Sequence, residues 1–330
     1  MQNIGIAITG SGSALPATFL DNQALTKLVD TSDEWITTRT GIRQRRLVNQ
    51  SESLSGLATL ASQKAIAASG ISPQELDLII LATSTPDDLF GSACQIQAQL
   101  GAHKAVAFDL TAACSGFVFG LVTAAQYIKT GVYKKVLMIG ADVLSRWVDW
   151  QDRGTCILFG DGAGAVVLQA NESDRLLGFE LKSDGTQNKY LNLACTPEPT
   201  ELLPDVHIGK GNFQPITMNG KEVYRFAVQK VPEVLDKALF HANLTVDQID
   251  WLILHQANQR ILDAVAQRLN IPEHKVISNL AEYGNTSAAS IPLALDEAVR
   301  QGKIKPNDIV AASGFGAGLT WGAAIFQWGR

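Results

Sequence analysis

The chain has 330 residues, 46% of them apolar, and a net charge of −5. That content can fill a sizeable core in one large domain or two ordinary ones, and it excludes a disordered chain. The acidic balance excludes a general nucleic-acid binder, which needs a surplus of Lys and Arg over a whole face.

In chain order, "MQNIGIAITGSG" reads as a first strand running into a glycine turn, with neither the basic lead nor the small-residue cleavage site of a secretory leader. No apolar run approaches the roughly 20 residues that a membrane helix needs. A soluble cytoplasmic protein is expected. Its cysteines, Cys94, Cys114, Cys156 and Cys195, form no CxxC pair and fit reduced thiols. "GSGSAL" has a dinucleotide-loop look but lacks the third glycine and carries Pro16, so it predicts an ordinary turn. Thr31 and Glu34 have capping-box spacing at the head of a helix, and Gly70 ends a further helical pattern.

"ISPQELDLIILAT" (71–83) is a polar turn feeding a buried strand. "AACSGF" opens a helix that Gly131 closes, and "GDGAGA" (160–165) predicts a tight turn into the strand "AVVLQA". The shape of 71–83 then returns in "LTVDQIDWLILHQ" (244–256), with Asp77 on Asp250 at an offset of 173. Gly131 matches Gly302 at 171, and the segments 104–140 and 274–314 share one order of strand, small-residue turn, helix, glycine and strand. The expectation is an α/β protein of two pseudo-symmetric halves, 1–173 and 174–330, built on mainly parallel sheets covered by helices.

The repeat places three reactive side chains. At the 171 offset Cys114 falls on Asn285, each between a strand and the next helix, while His255 ends the strand "DWLIL". All three stand at the carboxyl ends of strands, where open α/β sheets hold ligands. Cys114 heads a helix whose dipole favours a thiolate, so a lowered thiol pKa is expected. His255 and the Asn285 amide are suited to donate hydrogen bonds to a developing oxyanion. Taken singly, a packed cysteine, a structural histidine and an N-cap at Asn285 are the plainer alternatives.

Together "AACSGF", "HQANQR", "GNTSAAS" and "SGFGAGLTWG" resemble the β-ketoacyl-acyl carrier protein synthase III family, over nearly the whole chain. The resemblance implies a thiolase-like fold, a duplicated αβαβα layered sandwich, and a homodimer. It implies Cys114 as the nucleophile that takes an acetyl group from acetyl-CoA, and His255 and Asn285 as the pair that stabilises the enolate when malonyl-acyl carrier protein loses carbon dioxide. Attack on acyl-Cys114 then gives acetoacetyl-acyl carrier protein. The oxyanion hole is expected from the Cys114 amide and the "GFGAG" loop, Gly316 and Ala317 included; Ala317 stands where many relatives have glycine.

"TSDEWITTRTGIRQRR" crowds Arg39, Arg43, Arg45 and Arg46 beside Trp35, and an indole with guanidinium groups suits an adenine and its phosphates. By resemblance Trp35 stacks on the CoA adenine against Arg153, Thr31 and Arg39 contact the nucleotide, and Gly220 and Asn258 line the pantetheine tunnel. Arg225, Arg260 and Arg268 match carrier-docking positions, with Gln267 where relatives are basic. Phe315, and Phe90 reaching across the dimer, are expected to bound a short acyl pocket.

The resemblance implies no tightly bound cofactor, the CoA thioester being a substrate, and the histidines and cysteines show no metal-ligand spacing. The nearest rival is a type III polyketide synthase-like enzyme using malonyl-CoA. A biosynthetic thiolase needs a late second cysteine, and none follows Cys195.

Overall fold

Runs such as Leu78–Ala82 and Lys135–Val143 are buried almost throughout, so they need cover on both faces. The computed structural model describes residues 4–329 and supplies that cover as stacked layers. Residues 1–3, read as the head of the first strand, lie outside the described residues.

The first sheet comprises β1 (Gly5–Ala14), β2 (Leu78–Ala82), β3 (Val106–Leu110), β4 (Lys135–Val143) and β5 (Asp161–Asn171), in the order β1-β5-β4-β2-β3. The second comprises β6 (Leu176–Ser183), β7 (Trp251–Leu254), β8 (Val276–Ile277), β9 (Ile309–Gly316) and β10 (Thr320–Gln327), in the order β6-β10-β9-β7-β8. Each strand of the second sheet thus occupies the place of its counterpart five numbers earlier, so the duplication is real. The sheets are mixed rather than mainly parallel. β2 pairs in parallel with β3 and β4, whereas β5 runs antiparallel to β1 and β4, and the second sheet repeats this. Val-, Ile- and Leu-rich runs report burial on two faces and are silent on strand direction.

The helices of eight or more residues are α1 (Asp33–Thr40), α2 (Leu54–Ser69), α3 (Ala93–Leu100), α4 (Gly116–Lys129), α5 (Gly220–Ala242), α6 (Gln259–Arg268) and α7 (Ser290–Arg300). α4 buries Phe117, Val118, Leu121, Ala124, Ala125 and Ile128, and α7 is buried nearly all round as well. Such helices belong inside. Both lie between the two sheets and share their core. α2 and α3 cover the outer face of the first sheet, α5 and α6 that of the second. The result is the expected αβαβα sandwich.

Gly10, Gly12, Gly162 and Gly164 of "GSGSAL" and "GDGAGA" mark no turns; they lie within β1 and β5, and Gly160 immediately precedes β5. A Cβ on Gly12 would stand 2.3 Å from Ala61 O, and one on Gly164 2.8 Å from Leu293 N. Glycine there lets α2 and α7 pack directly on the strands. The α1 cap is also displaced by one residue: Ser32 Oγ, not Thr31, accepts from Trp35 N at 3.1 Å. Gly70, Gly131 and Gly302 adopt positive φ after their helices, as expected.

Candidate active site

The catalytic loops form where α4 and α7 begin. Each is preceded by one 3₁₀ turn, Ala113–Ser115 and Ser287–Ala289, entered through a left-handed residue, Ala113 (φ 46°) and Ser287 (φ 51°). The offset at these turns is 174, so the counterpart of Cys114 is Ala288 and not Asn285. The 171 offset holds only beyond the helices, because α7 has 11 residues where α4 has 14.

Asn285 still reaches Cys114, by another route. Its N–H donates to Leu158 O at 2.9 Å and its carbonyl accepts from Gly160 N at 3.0 Å, tying the segment to the first half. Cys114, His255, Asn285, Phe315 and Gly316 line one cavity of about 90 Å³. Cys114 also borders a second cavity of about 380 Å³, with Leu144, Phe159, Leu193, Phe213 and Ile216 among its apolar walls.

Cys114 is 7% exposed, and its Sγ lies 3.2 Å from Ser287 Oγ. Burial pushes the thiol up to about 12, the Ser287 hydrogen bond opposes this, and buried Asp142 adds to it. The expected lowered pKa is not found: desolvation first, and a nearby carboxylate after it, push the thiol upward. His255 follows β7, and burial alone brings it down to about 3, so the imidazole is neutral. Its Nδ1 lies 2.7 Å from Ser290 Oγ, and its ring packs edge-on to Phe315 at 5.2 Å. Asn285 Oδ1 accepts from Ser287 N at 2.9 Å, leaving the Nδ2 hydrogens as its donors toward the cavity. The N-cap of this turn is Thr286 and not Asn285, so the capping alternative does not hold.

A Cβ on Gly316 would sit 2.8 Å from Cys114 N, so glycine keeps the space beside this amide open. Ala317 lines the larger cavity; Phe315 lines the smaller one, not the larger. Phe90 is fully exposed and borders neither.

Outward from the small cavity, Gly220 begins α5 and Asn258 caps α6, and both line the cavity wall. Asn258 Nδ2 donates to Arg39 O at 3.1 Å. This links the cavity to Trp35, whose ring centre lies 5.4 Å from the Arg39 guanidinium and 4.8 Å from that of Arg153. Thr31 Oγ1 is buried here without a partner. Arg45 departs from the surface cluster: it is fully buried, donates to Leu20 O, Asn22 Oδ1 and Ile157 O, and burial lowers its pKa to about 10. Arg225 pairs with Glu222 at 3.0 Å, Arg260 lies 5.5 Å from the Tyr224 ring centre, and Arg268 donates to Val228 O at 3.1 Å.

Sequence reasoning missed Asp142, Ser287 and Ser290. Asp142 Oδ1 accepts from Thr83 Oγ1, Ser84 N and Thr85 Oγ1 at 3.1, 2.8 and 3.0 Å, and Oδ2 accepts from Ala288 N at 3.2 Å. Its one signal was a lone acid inside the apolar strand "VLMIGADV".

A duplicated αβαβα body with a cysteine, a neutral histidine and an asparagine on one cavity defines a thiolase-fold condensing acyltransferase. Two family models match: 3-oxoacyl-[acyl-carrier-protein] synthase III over residues 108–185 and its C-terminal counterpart over 239–328. The β-ketoacyl-[acyl-carrier-protein] synthase III of Nostoc sp. is 79% identical over 330 residues, all of both chains. The 3-oxoacyl-[acyl-carrier-protein] synthase III structures from Aquifex aeolicus and Thermus thermophilus superpose with TM-scores of 0.90 and 0.91, at 45% and 42% identity. They cover 98% of this chain and 100% and 99% of their own. The chain belongs to the β-ketoacyl-[acyl-carrier-protein] synthase III family and performs the initiating condensation of fatty-acid synthesis. No helix among the described residues is long and apolar enough to cross a membrane.

Proposed function

We propose that one site carries acyl transfer and condensation in turn. Cys114 sulfur attacks the thioester of a short acyl-CoA, preferably acetyl-CoA, while the Cys114 amide and the chain beside Gly316 receive the oxyanion; CoA departs and an acyl-Cys114 remains. Malonyl-acyl carrier protein then places its thioester oxygen between His255 Nε2–H and the Asn285 amide. Carbon dioxide leaves, the enolate attacks the acyl thioester, and acetoacetyl-acyl carrier protein is released. A histidine that stays neutral fits this role, because it donates a hydrogen bond without bringing a charge to the carbanion.

The observation that carries this reading is the convergence of Cys114, His255 and Asn285 on one small cavity. The path from that cavity past Gly220 and Asn258 to Trp35, Arg39, Arg153 and Thr31 suits pantetheine and nucleotide; no tightly bound cofactor enters the scheme. The apolar second cavity is the acyl pocket, with Phe90 serving the partner subunit of a cytoplasmic homodimer. Arg225, Arg260 and Arg268 receive the acidic carrier. The halves 1–173 and 174–330 act as one body, the first bringing the nucleophile and the second the enolate-stabilising pair. The identity to the Nostoc relative favours this over a polyketide synthase-like enzyme.

Intact-protein mass spectrometry tests it. Acetyl-CoA is expected to leave one acetyl adduct on Cys114, and malonyl-acyl carrier protein to remove it with formation of acetoacetyl-acyl carrier protein. An adduct elsewhere, or one that gives only free acetate, would contradict the reading.

A further inference from the structure

Ala113 and Ser287 enter matching 3₁₀ turns, and both hold left-handed backbone, at φ 46° and 51°. That conformation is strained for a residue with a side chain, yet the first half builds it with alanine. The second half places a hydroxyl at the same position, where the turn itself does not need one. Ser287 Oγ lies 3.2 Å from Cys114 Sγ and donates to it. Among the described residues, no other side chain hydrogen-bonds this sulfur.

The backbone around the hydroxyl is pinned. Ser287 N donates to Asn285 Oδ1 at 2.9 Å, Ser287 O accepts from Ser290 Oγ at 2.8 Å, and Ala288 N donates to Asp142 Oδ2 at 3.2 Å. A Cβ on Gly140 would stand 2.2 Å from Ala288 O, so the turn also lies directly on β4. With Ser287 2% and Cys114 7% exposed, solvent gives little support to a charge on the sulfur. We propose that Ser287 is a further catalytic residue, its hydroxyl stabilising the Cys114 thiolate, an inference that rests on Cys114 being the nucleophile.

A thiolate accepts hydrogen bonds and donates none, and a bond to a charged partner is the stronger kind. In acyl transfer the thiol proton leaves to solvent, the sulfur electron pair forms the bond to the acyl carbon, and the bond from that carbon to CoA sulfur breaks. The CoA thiolate takes up a proton from solvent. In condensation the enolate electron pair forms the carbon–carbon bond, the bond from acyl carbon to Cys114 sulfur breaks, and the sulfur keeps the pair until solvent reprotonates it. Ser287 donates to the charged sulfur at both moments and keeps its own hydrogen throughout, so it acts as a donor and not as a base. Burial and the Asp142 carboxylate push the thiol up, and the Ser287 hydrogen bond opposes them.

Ser287→Ala tests this, and Ala113 shows that such a turn accepts alanine. Alkylation by iodoacetamide at one fixed pH, read by mass spectrometry at the peptide that carries Cys114, reports how readily the thiolate forms. It is expected to slow roughly 10-fold to 100-fold in S287A, the range for losing a hydrogen bond to a charged group. Single-turnover acetylation by acetyl-CoA is expected to slow by a similar factor. Removing the hydroxyl opens space beside the sulfur, so a change of access alone would have the opposite sign. Decarboxylation of malonyl-acyl carrier protein is expected to stay close to wild type, because it needs no thiolate and the backbone N–H that holds Asn285 remains. Alkylation as fast as wild type would overturn the proposal, and so would a loss of decarboxylation equal to that of acetylation, which marks a collapsed turn. If the wild-type protein takes no acetyl group on Cys114, the underlying reading fails, while the alkylation rates still decide whether Ser287 holds the charge on sulfur.

Discussion

The hydroxyl of Ser290 lies 2.7 Å from Nδ1 of His255 and 2.8 Å from Ser287 O. The hydroxyl donates its single hydrogen to Ser287 O, so its lone pairs face the imidazole. The contact holds Nδ1 and the ring orientation, leaving Nε2 as the ring nitrogen for a substrate oxygen. Ser290→Ala is expected to lower condensation about 10-fold to 100-fold, as loss of a partner that orients a reactive imidazole does, while sparing acetyl transfer. Nitrogen NMR of histidine-labelled protein checks the cause: S290A shifts His255 toward mixed tautomers, and Ser290→Thr restores the pattern.

The neutral imidazole has a consequence in acid. His255 titrates at about 3 in the folded chain, against an ordinary value of 6.5. Between those values the unfolded chain binds a proton that the folded chain refuses, so this residue's share of stability is complete above pH 6.5 and falls as the pH drops toward 3. The slope is at most about 1.4 kcal/mol per pH unit. Thermal midpoints of the wild type measured from pH 7 to pH 4 are expected to fall more steeply than those of His255→Asn, whose side chain does not titrate.

Trp35 has the Arg39 and Arg153 guanidinium groups within 5.4 and 4.8 Å of its ring centre, and the proposed reading seats the CoA adenine here. Trp35→Ala is expected to raise KM for acetyl-CoA by roughly 10-fold or more, the range for losing one base-stacking aromatic, with condensation of preformed acetyl-enzyme unchanged. Steady-state and single-turnover kinetics separate the two.

Of the three arginines proposed to receive the carrier, Arg260 and Arg268 are the ones to reverse first, since Arg225 is already paired with Glu222. Glu at both positions is expected to raise KM for malonyl-acyl carrier protein several-fold and to flatten its dependence on salt, leaving KM for acetyl-CoA in place. An unchanged salt dependence would place carrier docking elsewhere.

The layered duplication was legible because buried strands and all-round apolar helices leave a pattern in the chain. Its fine alignment was not: the shorter α7 hides three residues between the turn at Ser287 and the stop at Gly302, which made Asn285 look like the twin of Cys114. Glycines at 12 and 164 read as turn signals in the sequence because close helix packing leaves the same mark. The Cys114 thiol was misjudged because the helix dipole is visible in a sequence, whereas desolvation and the Asp142 carboxylate arise only when distant segments meet. Ser287 and Ser290 went unseen because small hydroxyl residues at a helix head ordinarily mean capping.

The division of labour at the cavity is tested most directly by timing the two half-reactions separately in His255→Ala and Asn285→Ala. Acetylation of Cys114 is expected to remain close to wild type, while condensation with malonyl-acyl carrier protein falls roughly 100-fold to 1,000-fold, the range for losing one oxyanion donor. Equal losses in both steps would contradict the account.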